Sequence, residues 1–209
     1  MVVKIIGLGP GAADYILPKA VKEMKSSDVL LGFQRAMASL EYIDTPKQTV
    51  ESLKDLLSYI ENNPKQIIGI VASGDPGFYG ILDYIKNNIT REIKVIPGIS
   101  SFQYLMSKLK KSWQEAYVGS LHGREADFVN TIKTYSTSVW LTDKVQNPAY
   151  ICKELLKQAE DYWVYVGENL SYPDEKITQG KPEDLKDKSW ADLSLVVVEQ
   201  KVRDSYEIY

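Results

Sequence analysis

The chain has 209 residues, a net charge of −3 and a pI of about 5.4, and it contains one cysteine and one histidine. These counts exclude a zinc site built from four Cys or His ligands and an intramolecular disulfide, which suits a reducing cytoplasm. The acidic balance argues against nucleic-acid binding by the chain as a whole. The apolar residues near the N-terminus, interrupted by Lys4, are too few for a signal peptide or a membrane span, so we expect no membrane contact.

Strand-like and helix-like segments alternate through the first half of the chain. Short β-branched and aliphatic runs predict strands, and apolar residues three or four positions apart predict helices. The predicted strands cover residues 2–6, 29–31, 67–72 and 93–96. The predicted helices cover residues 15–25, 52–60, 78–87 and 102–109, with Asp14 and Ser100 as caps of the first and the last. This alternation favours a mostly parallel sheet covered by helices.

The pattern weakens over residues 108–114, a basic polar stretch that we interpret as a linker. Beyond it, strands are predicted at residues 116–119, 138–142, 162–167 and 193–199, and helices at residues 125–135 and 148–158. Residues 172–188 are polar and indicate turns. Cys152 lies among apolar residues of the second of these helices, so we expect it to be a buried small hydrophobe. The chain is thus predicted to be an α/β protein of two α/β domains, residues 1–111 and 112–209.

Three predicted strands of the first half end in turns rich in glycine and proline. In an open parallel sheet, ligands bind beyond the carboxyl ends of the strands, and glycine permits positive φ and close approach of backbone to ligand. Three such turns at one edge predict a binding site there. The turns are Gly7-Leu8-Gly9-Pro10-Gly11, Ser73-Gly74-Asp75-Pro76-Gly77 and Pro97-Gly98-Ile99-Ser100-Ser101.

A dinucleotide site is one interpretation of the first turn, since Gly7, Gly9 and Ala12 fit the G-x-G-x-x-G/A pattern. Two features oppose it. Pro10 removes a backbone N–H from the loop that would hold a pyrophosphate. The next strand is not followed by a carboxylate for a ribose, because Asp28 precedes that strand. An NAD-dependent oxidoreductase is kept as an alternative.

The three turns, extended in the second case to Phe78-Tyr79-Gly80, resemble the motifs of the tetrapyrrole methylase family in order and spacing, and the likeness covers nearly the whole chain. The second half resembles the branch that methylates C5 of the corrin ring in cobalamin biosynthesis. The residues that carry this likeness are Ser120-Leu121-His122-Gly123-Arg124, Leu141-Thr142-Asp143 and Val166-Gly167-Glu168-Asn169-Leu170-Ser171-Tyr172-Pro173-Asp174-Glu175.

The resemblance implies an S-adenosylmethionine-dependent C-methyltransferase that acts on C5 of cobalt-precorrin-7, a corrinoid small molecule, in a cleft between the two domains. It also implies a homodimer and S-adenosylhomocysteine as a product. Some relatives carry a fused second methyltransferase that methylates C15 and decarboxylates the C12 acetate. Since 209 residues leave no room for that activity, we expect a separate protein to carry it.

The resemblance also implies which residues bind the cofactor. Asp75 would accept hydrogen bonds from a ribose or an amino group, although it could instead only cap its own turn. The serines would bind through hydroxyl or backbone N–H, or serve as N-caps. The full predicted set is Pro10, Gly74, Asp75, Phe78, Ser100, Ser101, Thr142, Gly167 and Leu170.

The predicted substrate contacts are Gly9, Tyr79, His122 and Arg124. Arg124 would pair with the acetate and propionate arms of the substrate, because its fork matches a carboxylate. His122 is the candidate general base, with substrate contact and a structural role in its own loop as alternatives. Methyl transfer from a sulfonium depends mainly on positioning, so no covalent enzyme intermediate and no metal is expected.

Three other functions are kept as alternatives. The first is another branch of the same family with a different acceptor: an earlier ring position, a diphthine precursor on a protein, or ribosomal RNA. The second is the oxidoreductase suggested by Gly7, Gly9 and Ala12. The third is a tetrapyrrole-binding protein without turnover.

Overall fold

The computed structural model describes residues 1–123 and 126–201. The chain forms two compact units, Met1–Gln103 and Tyr104–Tyr209, each with its own sheet. The division between the units falls within a helix. The predicted domain boundary between residues 111 and 112 concerns parts of the chain that fold independently, and it stays a prediction.

A five-stranded sheet with parallel pairing forms the centre of the first unit. Its strands are β1 (Val3–Gly7), β2 (Val29–Gly32), β3 (Lys47–Thr49), β4 (Ile68–Ala72) and β5 (Ile93–Ile96). Their order across the sheet is β3-β2-β4-β1-β5. The predicted parallel sheet is confirmed, and β1 lies between β4 and β5, so the carboxyl ends of these three strands adjoin.

Helices cover both faces of this sheet. The helices along residues 1–109 are α1 (Pro18–Lys25), α2 (Gln34–Ala38), α3 (Leu53–Asn62), α4 (Leu82–Asn88) and α5 (Ser101–Leu109), and a 3-10 turn covers Ala13–Tyr15. Successive residues of β1 point to opposite faces. Ile6 belongs to a buried cluster with Met24 of α1, whereas Ile5 belongs to a second cluster with Leu56 of α3.

Two predicted helix starts are wrong. The first helix begins at Pro18, and its N-cap is Leu17 in an extended conformation, while Asp14 lies in the 3-10 turn and caps nothing there. A residue before proline is pushed out of the α region, so the helix could not run through Leu17. The helix predicted from residue 78 begins at Leu82, because Tyr79 has a φ of 50° and interrupts helical geometry.

The second unit has a mixed five-stranded sheet of order β6-β7-β10-β8-β9. Only the β6–β7 pair is parallel within it, and the other three pairs are antiparallel. Its strands are β6 (Tyr117–Ser120), β7 (Thr137–Leu141), β8 (Tyr162–Glu168), β9 (Lys176–Gly180) and β10 (Ser194–Gln200), and its further helices are α6 (Phe128–Thr134), α7 (Pro148–Leu155) and α8 (Pro182–Leu185). The segment interpreted as turns therefore contains a strand and a short helix.

The core of the second unit surrounds Trp140, which is fully buried and donates from Nε1 to Ser138 Oγ at 2.9 Å. Cys152 on α7 lies in the same core and is also fully buried, which confirms its expected role. Burial raises the pKa of its thiol to about 12. In the part of the chain that the structure describes, no helix is both long and apolar enough to cross a membrane.

Candidate functional site

The first two glycine-rich turns are joined by an isolated antiparallel bridge between Gly9 and Gly74. The Gly9 N–H donates to the Gly74 carbonyl at 3.2 Å, and the Gly74 N–H donates to the Gly9 carbonyl at 2.7 Å. Both glycines have positive φ, 76° and 66°, a conformation that glycine adopts at little cost. The turns after β1 and β4 are therefore joined directly through their backbones.

The third turn packs against the first two through glycine. A Cβ added to Gly98 would lie 2.1 Å from the Gly74 carbonyl oxygen, and a Cβ added to Gly7 would lie 2.6 Å from the Gly98 nitrogen. Both distances are far inside van der Waals contact, so side chains are sterically excluded from these positions. The strand order places the three turns side by side, and the absence of side chains lets their backbones touch.

Asp75 connects the second turn to the third. Its Oδ1 accepts from the Gly77 N–H at 2.8 Å and its Oδ2 accepts from the Gly98 N–H at 3.0 Å. The side chain thus caps its own turn and also holds the neighbouring one. Each carboxylate oxygen has two lone pairs and accepts one of these hydrogen bonds, so acceptor capacity is left for a ligand. The cofactor role of Asp75 stays a prediction.

The third turn leads directly into α5. Ser100 is 2% exposed, and both its N–H and its hydroxyl donate to Gln103 Oε1, at 2.9 and 3.1 Å. This is one half of a capping box, in which a side chain at the third helical position bonds back to the cap residue. Ser101, the first residue of the helix, is half-buried. Ser100 thus lies directly before the helix, and its hydroxyl acts there as a donor to the Gln103 side chain.

An aromatic group borders these turns. The Phe78 ring lies 4.9 Å from the Tyr79 ring, edge to face, and 4.9 Å from the Phe102 ring. Tyr79 is 40% exposed and is held at a positive φ, which is uncommon for a bulky residue and costs about 1–3 kcal/mol. Strain of this kind concentrates at functional sites, where the surrounding structure enforces it.

The positions of α1 and Asp28 argue against a dinucleotide site at the first turn. A pyrophosphate in that motif lies on the N-terminus of the helix that follows directly. Here the 3-10 turn follows the glycines and α1 starts only at Pro18. Asp28 precedes β2, and its Oδ2 accepts from the Ile67 N–H at 2.7 Å, at the end of the sheet opposite to the glycine turns. It therefore cannot hold a ribose beside those turns.

In the second unit, the loops after β6 and β7 lie side by side. The Asp143 carboxylate accepts backbone N–H groups from Gly123 at 2.9 Å, Val145 at 2.8 Å and Gln146 at 2.7 Å. The hydrogen bond from Gly123 is the main cause that lowers the Asp143 pKa from its ordinary value, with those from Gln146 and Val145 adding to it. Asp143 was not predicted as a site residue, although it stands at a strand end.

His122 is exposed in the loop after β6, and its Nδ1 lies 3.1 Å from the Thr142 carbonyl oxygen. A carbonyl only accepts, so Nδ1 carries the proton and Nε2 of the neutral ring is the atom able to accept one. Arg124, a predicted substrate contact, lies outside the described residues, as does Glu125, where the next helix was predicted to start. That helix is described from Phe128.

The Thr142 side chain has a structural partner. Its hydroxyl is buried and donates to the Ser194 carbonyl at 2.7 Å, which joins the end of β7 to the start of β10. Ser194 pairs in turn with Glu168 at the end of β8. Thr142, His122 and the segment after β8 therefore share one end of the second sheet.

The segment after β8 has an unusual backbone. Asn169 and Ser171 have φ values of 46° and 69°, on either side of the buried Leu170. A Cβ added to Gly167 would lie 2.8 Å from a methyl group of Leu170, so a side chain at position 167 would displace Leu170 from its present position. The two predicted cofactor residues of this segment are in contact with each other.

The structure thus groups the predicted site residues at one end of each sheet. The first sheet carries Gly9, Pro10, Gly74, Asp75, Phe78, Tyr79, Ser100 and Ser101, and the second carries His122, Thr142, Gly167 and Leu170. Their roles toward ligands stay predictions. Within residues 1–123 and 126–201, no group of three or more His, Cys, Asp or Glu could hold a metal ion.

Comparison with known proteins identifies the family. The family model described as Tetrapyrrole (Corrin/Porphyrin) Methylases matches residues 2–186. A relative from Methanocaldococcus jannaschii, named a probable cobalt-precorrin-7 C(5)-methyltransferase, is 32% identical over 207 residues, which cover 93% of this chain and 96% of that protein.

Two solved structures share the fold. The precorrin-6Y methylase of Archaeoglobus fulgidus superposes with a TM-score of 0.77 at 21% identity, over 96% of this chain and 99% of that one. The uroporphyrin-III C-methyltransferase of Thermus thermophilus, solved in complex with S-adenosylhomocysteine, gives a TM-score of 0.74 at 20% identity, over 95% and 97% of the two chains. The match to the family model and the similarity to the Methanocaldococcus jannaschii relative show that the chain belongs to the tetrapyrrole methylase family.

Proposed function

We propose that this protein is an S-adenosylmethionine-dependent methyltransferase that methylates C5 of cobalt-precorrin-7 in cobalamin biosynthesis. The observation that carries the proposal is the full-length similarity to the Methanocaldococcus jannaschii relative of that name. The geometry supports it, because the three glycine-rich turns that characterise the family meet at the carboxyl ends of β1, β4 and β5.

The residues at this sheet end fit a cofactor with hydroxyl, amino and carboxylate groups. Space remains at Gly74, where an added Cβ would meet nothing nearer than the Ser100 Cα at 3.8 Å. Asp75 supplies acceptors for a hydroxyl or ammonium group, and the start of α5 at Ser101 supplies N–H donors that suit a carboxylate. Phe78 offers an aromatic surface.

The cofactor supplies a methyl group on a sulfonium, whose departure leaves a neutral thioether. One C–S bond breaks and one C–C bond forms, and the substrate carbon then loses a proton. The protein's part is to hold nucleophile, methyl and sulfur in line, which makes positioning the main source of rate enhancement. The closely packed turns around Gly74 and Asp75 suit that task, because backbone held by hydrogen bonds moves little.

His122 is the proposed acceptor of the proton lost from the substrate. The hydrogen bond to the Thr142 carbonyl leaves Nε2 as its basic atom. Gly9, Tyr79 and Arg124 are the other proposed substrate contacts. Tyr79 is exposed and conformationally fixed, so it can present a ring to a flat macrocycle with little loss of entropy on binding.

Three further predictions remain. They are the homodimer, the cytoplasmic location, and a separate protein for C15 methylation and C12-acetate decarboxylation. The single cysteine is compatible with a reducing compartment. A dimer would be measured by sedimentation equilibrium of the purified chain.

Calorimetry with S-adenosylhomocysteine and with NAD tests the proposed cofactor. We expect binding of the sulfur compound and none of the dinucleotide, and tight NAD binding without binding of the sulfur compound would refute the proposed function. Incubation with S-adenosylmethionine and cobalt-precorrin-7, followed by mass spectrometry and NMR of the product, tests the reaction. One added methyl group at C5 is expected. A methyl group elsewhere would assign another branch of the family, and binding without product would indicate a carrier.

A further inference from the structure

The segment after β8 is held by one carboxylate that no proposed step uses. We propose that Glu175 is a positioning residue, which sets the backbone on either side of Leu170 in the conformation that binds the cofactor. The inference rests on the proposed function, in which Gly167 and Leu170 contact S-adenosylmethionine. Glu175 itself need not touch the ligand.

Glu175 reaches back across the turn to the backbone it controls. Its Oε2 accepts from the Ser171 N–H at 2.6 Å, a short charge-assisted hydrogen bond. Its own N–H donates to the Tyr172 carbonyl, and the Tyr172 N–H donates to the Asn169 carbonyl, each at 3.0 Å. Asn169 Nδ2 donates to Asp174 Oδ2 at 2.7 Å. Every residue with positive φ in the segment is therefore bonded within the turn.

The carboxylate is anchored from the other side by α5. Lys108 Nζ lies 3.3 Å from Glu175 Oε1, and the Tyr104 hydroxyl also hydrogen bonds to Glu175. Burial disfavours the charged form of Glu175, but the hydrogen bonds from Tyr104, Ser171 and Lys108 outweigh it and keep its pKa below the ordinary value. The side chain is thus a fixed, ionised link between a regular helix and the irregular segment.

Such a link is needed because the segment is strained. Ser171 is a non-glycine residue at positive φ, a conformation that most L residues leave unless neighbouring contacts enforce it, whereas asparagine, the residue at 169, adopts this region more readily. Without the acceptor at Glu175, this hydrogen bond from the Ser171 N–H is lost and the backbone can relax. The carbonyl and N–H of Leu170, between the two residues at positive φ, would then turn away from their bound orientation.

The chain provides a matched control in a second group of the same three residue types. Glu199 pairs with Lys111 at 2.7 Å and accepts from the Tyr165 hydroxyl at 3.1 Å. Its side chain is 24% exposed, against 20% for Glu175. Glu199 lies on β10, and its side-chain partners are Lys111 and Tyr165 rather than the segment after β8. Glu199→Ala therefore removes a similar ion pair without releasing Ser171.

The test compares Glu175→Ala, Glu175→Gln and Glu199→Ala with the wild-type chain by calorimetry with S-adenosylhomocysteine and by steady-state kinetics. We expect Glu175→Ala to bind about tenfold more weakly. Its KM for S-adenosylmethionine should rise by a similar factor, with kcat at saturating cofactor within about twofold of wild type. Glu175→Gln keeps an acceptor for the Ser171 N–H and should recover most of the affinity. Glu199→Ala should bind like wild type.

Two outcomes would overturn the inference. Wild-type affinity in Glu175→Ala would show that the carboxylate does not set the cofactor segment. An equal loss in Glu199→Ala would show only a general loss of stability. If the wild-type chain itself failed to bind S-adenosylhomocysteine, the proposed function would fail, and this inference with it. Should Glu175→Ala not fold, Glu175→Met takes its place, because it keeps a side chain of similar length but offers no carboxylate to the Ser171 N–H, and the same tenfold loss is expected.

Discussion

The Oδ2 atom of Asp75 accepts the backbone N–H of Gly98 at 3.0 Å. Asp75 follows β4 and Gly98 follows β5, and the two strands are separated in the sheet by β1. The contact therefore spans the end of the central strand and closes a ring of three turns. Because the same carboxylate also accepts the Gly77 N–H, the shape of the proposed cofactor site depends strongly on this one side chain.

Replacement of Asp75 tests that dependence. Asp75→Ala removes the acceptor of two backbone N–H groups, and we expect the free energy of unfolding to fall by about 2 kcal/mol. S-adenosylhomocysteine binding should weaken by about tenfold or more. Urea denaturation and calorimetry measure the two effects. Asp75→Asn retains one acceptor and serves as the milder control. Equal affinity in Asp75→Ala and wild type would remove Asp75 from the site.

Gly98→Ala tests the steric contact between the turns. The added Cβ would lie 2.1 Å from the Gly74 carbonyl oxygen, so the variant should lose about 3 kcal/mol or more of unfolding free energy. Gly123→Ala is the control, because φ there is 62° but no atom lies within 4 Å of the added Cβ. It should cost only about 1–2 kcal/mol, the conformational penalty alone. Similar losses in both variants, measured by urea denaturation, would refute close packing of the turns.

His122 is tested by two substitutions that separate its possible roles. His122→Ala and His122→Asn should both bind S-adenosylhomocysteine like wild type, and both should lower kcat/KM for the corrinoid by about 100-fold, typical of a lost general base. The asparagine amide can still donate to the Thr142 carbonyl. Full activity in His122→Asn, measured by single-turnover methylation, would instead assign His122 to the structure of its loop.

Glu23 gives the first unit a pH-dependent stability. Its carboxylate is buried and forms ion pairs with Lys4, Lys19 and Lys94. The hydrogen bonds from Lys19 and Lys94, with a smaller contribution from Lys4, lower its pKa to about 2, although burial by itself would raise that pKa. The folded pKa lies below the ordinary value of 4.5, so the unfolded chain binds the proton more readily. Stability should therefore decrease as pH falls from about 4.5 to about 2.

Glu23→Gln is the variant that measures this contribution. At pH 7 its free energy of unfolding should be about 3 kcal/mol lower than that of the wild type, because Lys4 is left buried without its counter-ion. Urea denaturation across the acid range should show the difference between variant and wild type shrinking as pH approaches 2. A difference independent of pH would show that the ionised carboxylate is not the source of the stability.

Local patterns predicted much of the regular structure. The strand at Ile93–Ile96 was predicted with the observed bounds, since a β-branched run ended by Pro97-Gly98 is a strong signal. β9 was missed because its residues, Lys176–Gly180, are polar and mostly exposed. It is a strand because β8 offers it a hydrogen-bonding edge, and only the neighbouring strand reveals that edge.

In the candidate site, too, some features could be predicted from the sequence and others are visible only in the structure. The glycines at positions 7, 9, 74 and 98 and Asp75 could be identified from the sequence, because the turns that contain them resemble the motifs of the family. The contacts among them could not, because no rule of spacing states that Gly98 lies against the Gly74 carbonyl. That contact follows from the strand order β4-β1-β5, which brings together turns that are far apart in the sequence.

By itself, the sequence determined the family, the α/β class and the absence of enough Cys and His for a four-ligand zinc site, since these depend on residue type and local spacing. Only the tertiary structure decided that Asp75 holds two turns at once and that Glu175 holds the backbone beside Leu170. It also decided that His122 Nδ1 faces the Thr142 carbonyl. Each of these depends on which atoms meet after folding, and hydrogen bonds between residues of neighbouring strands and turns leave no periodic trace in a sequence.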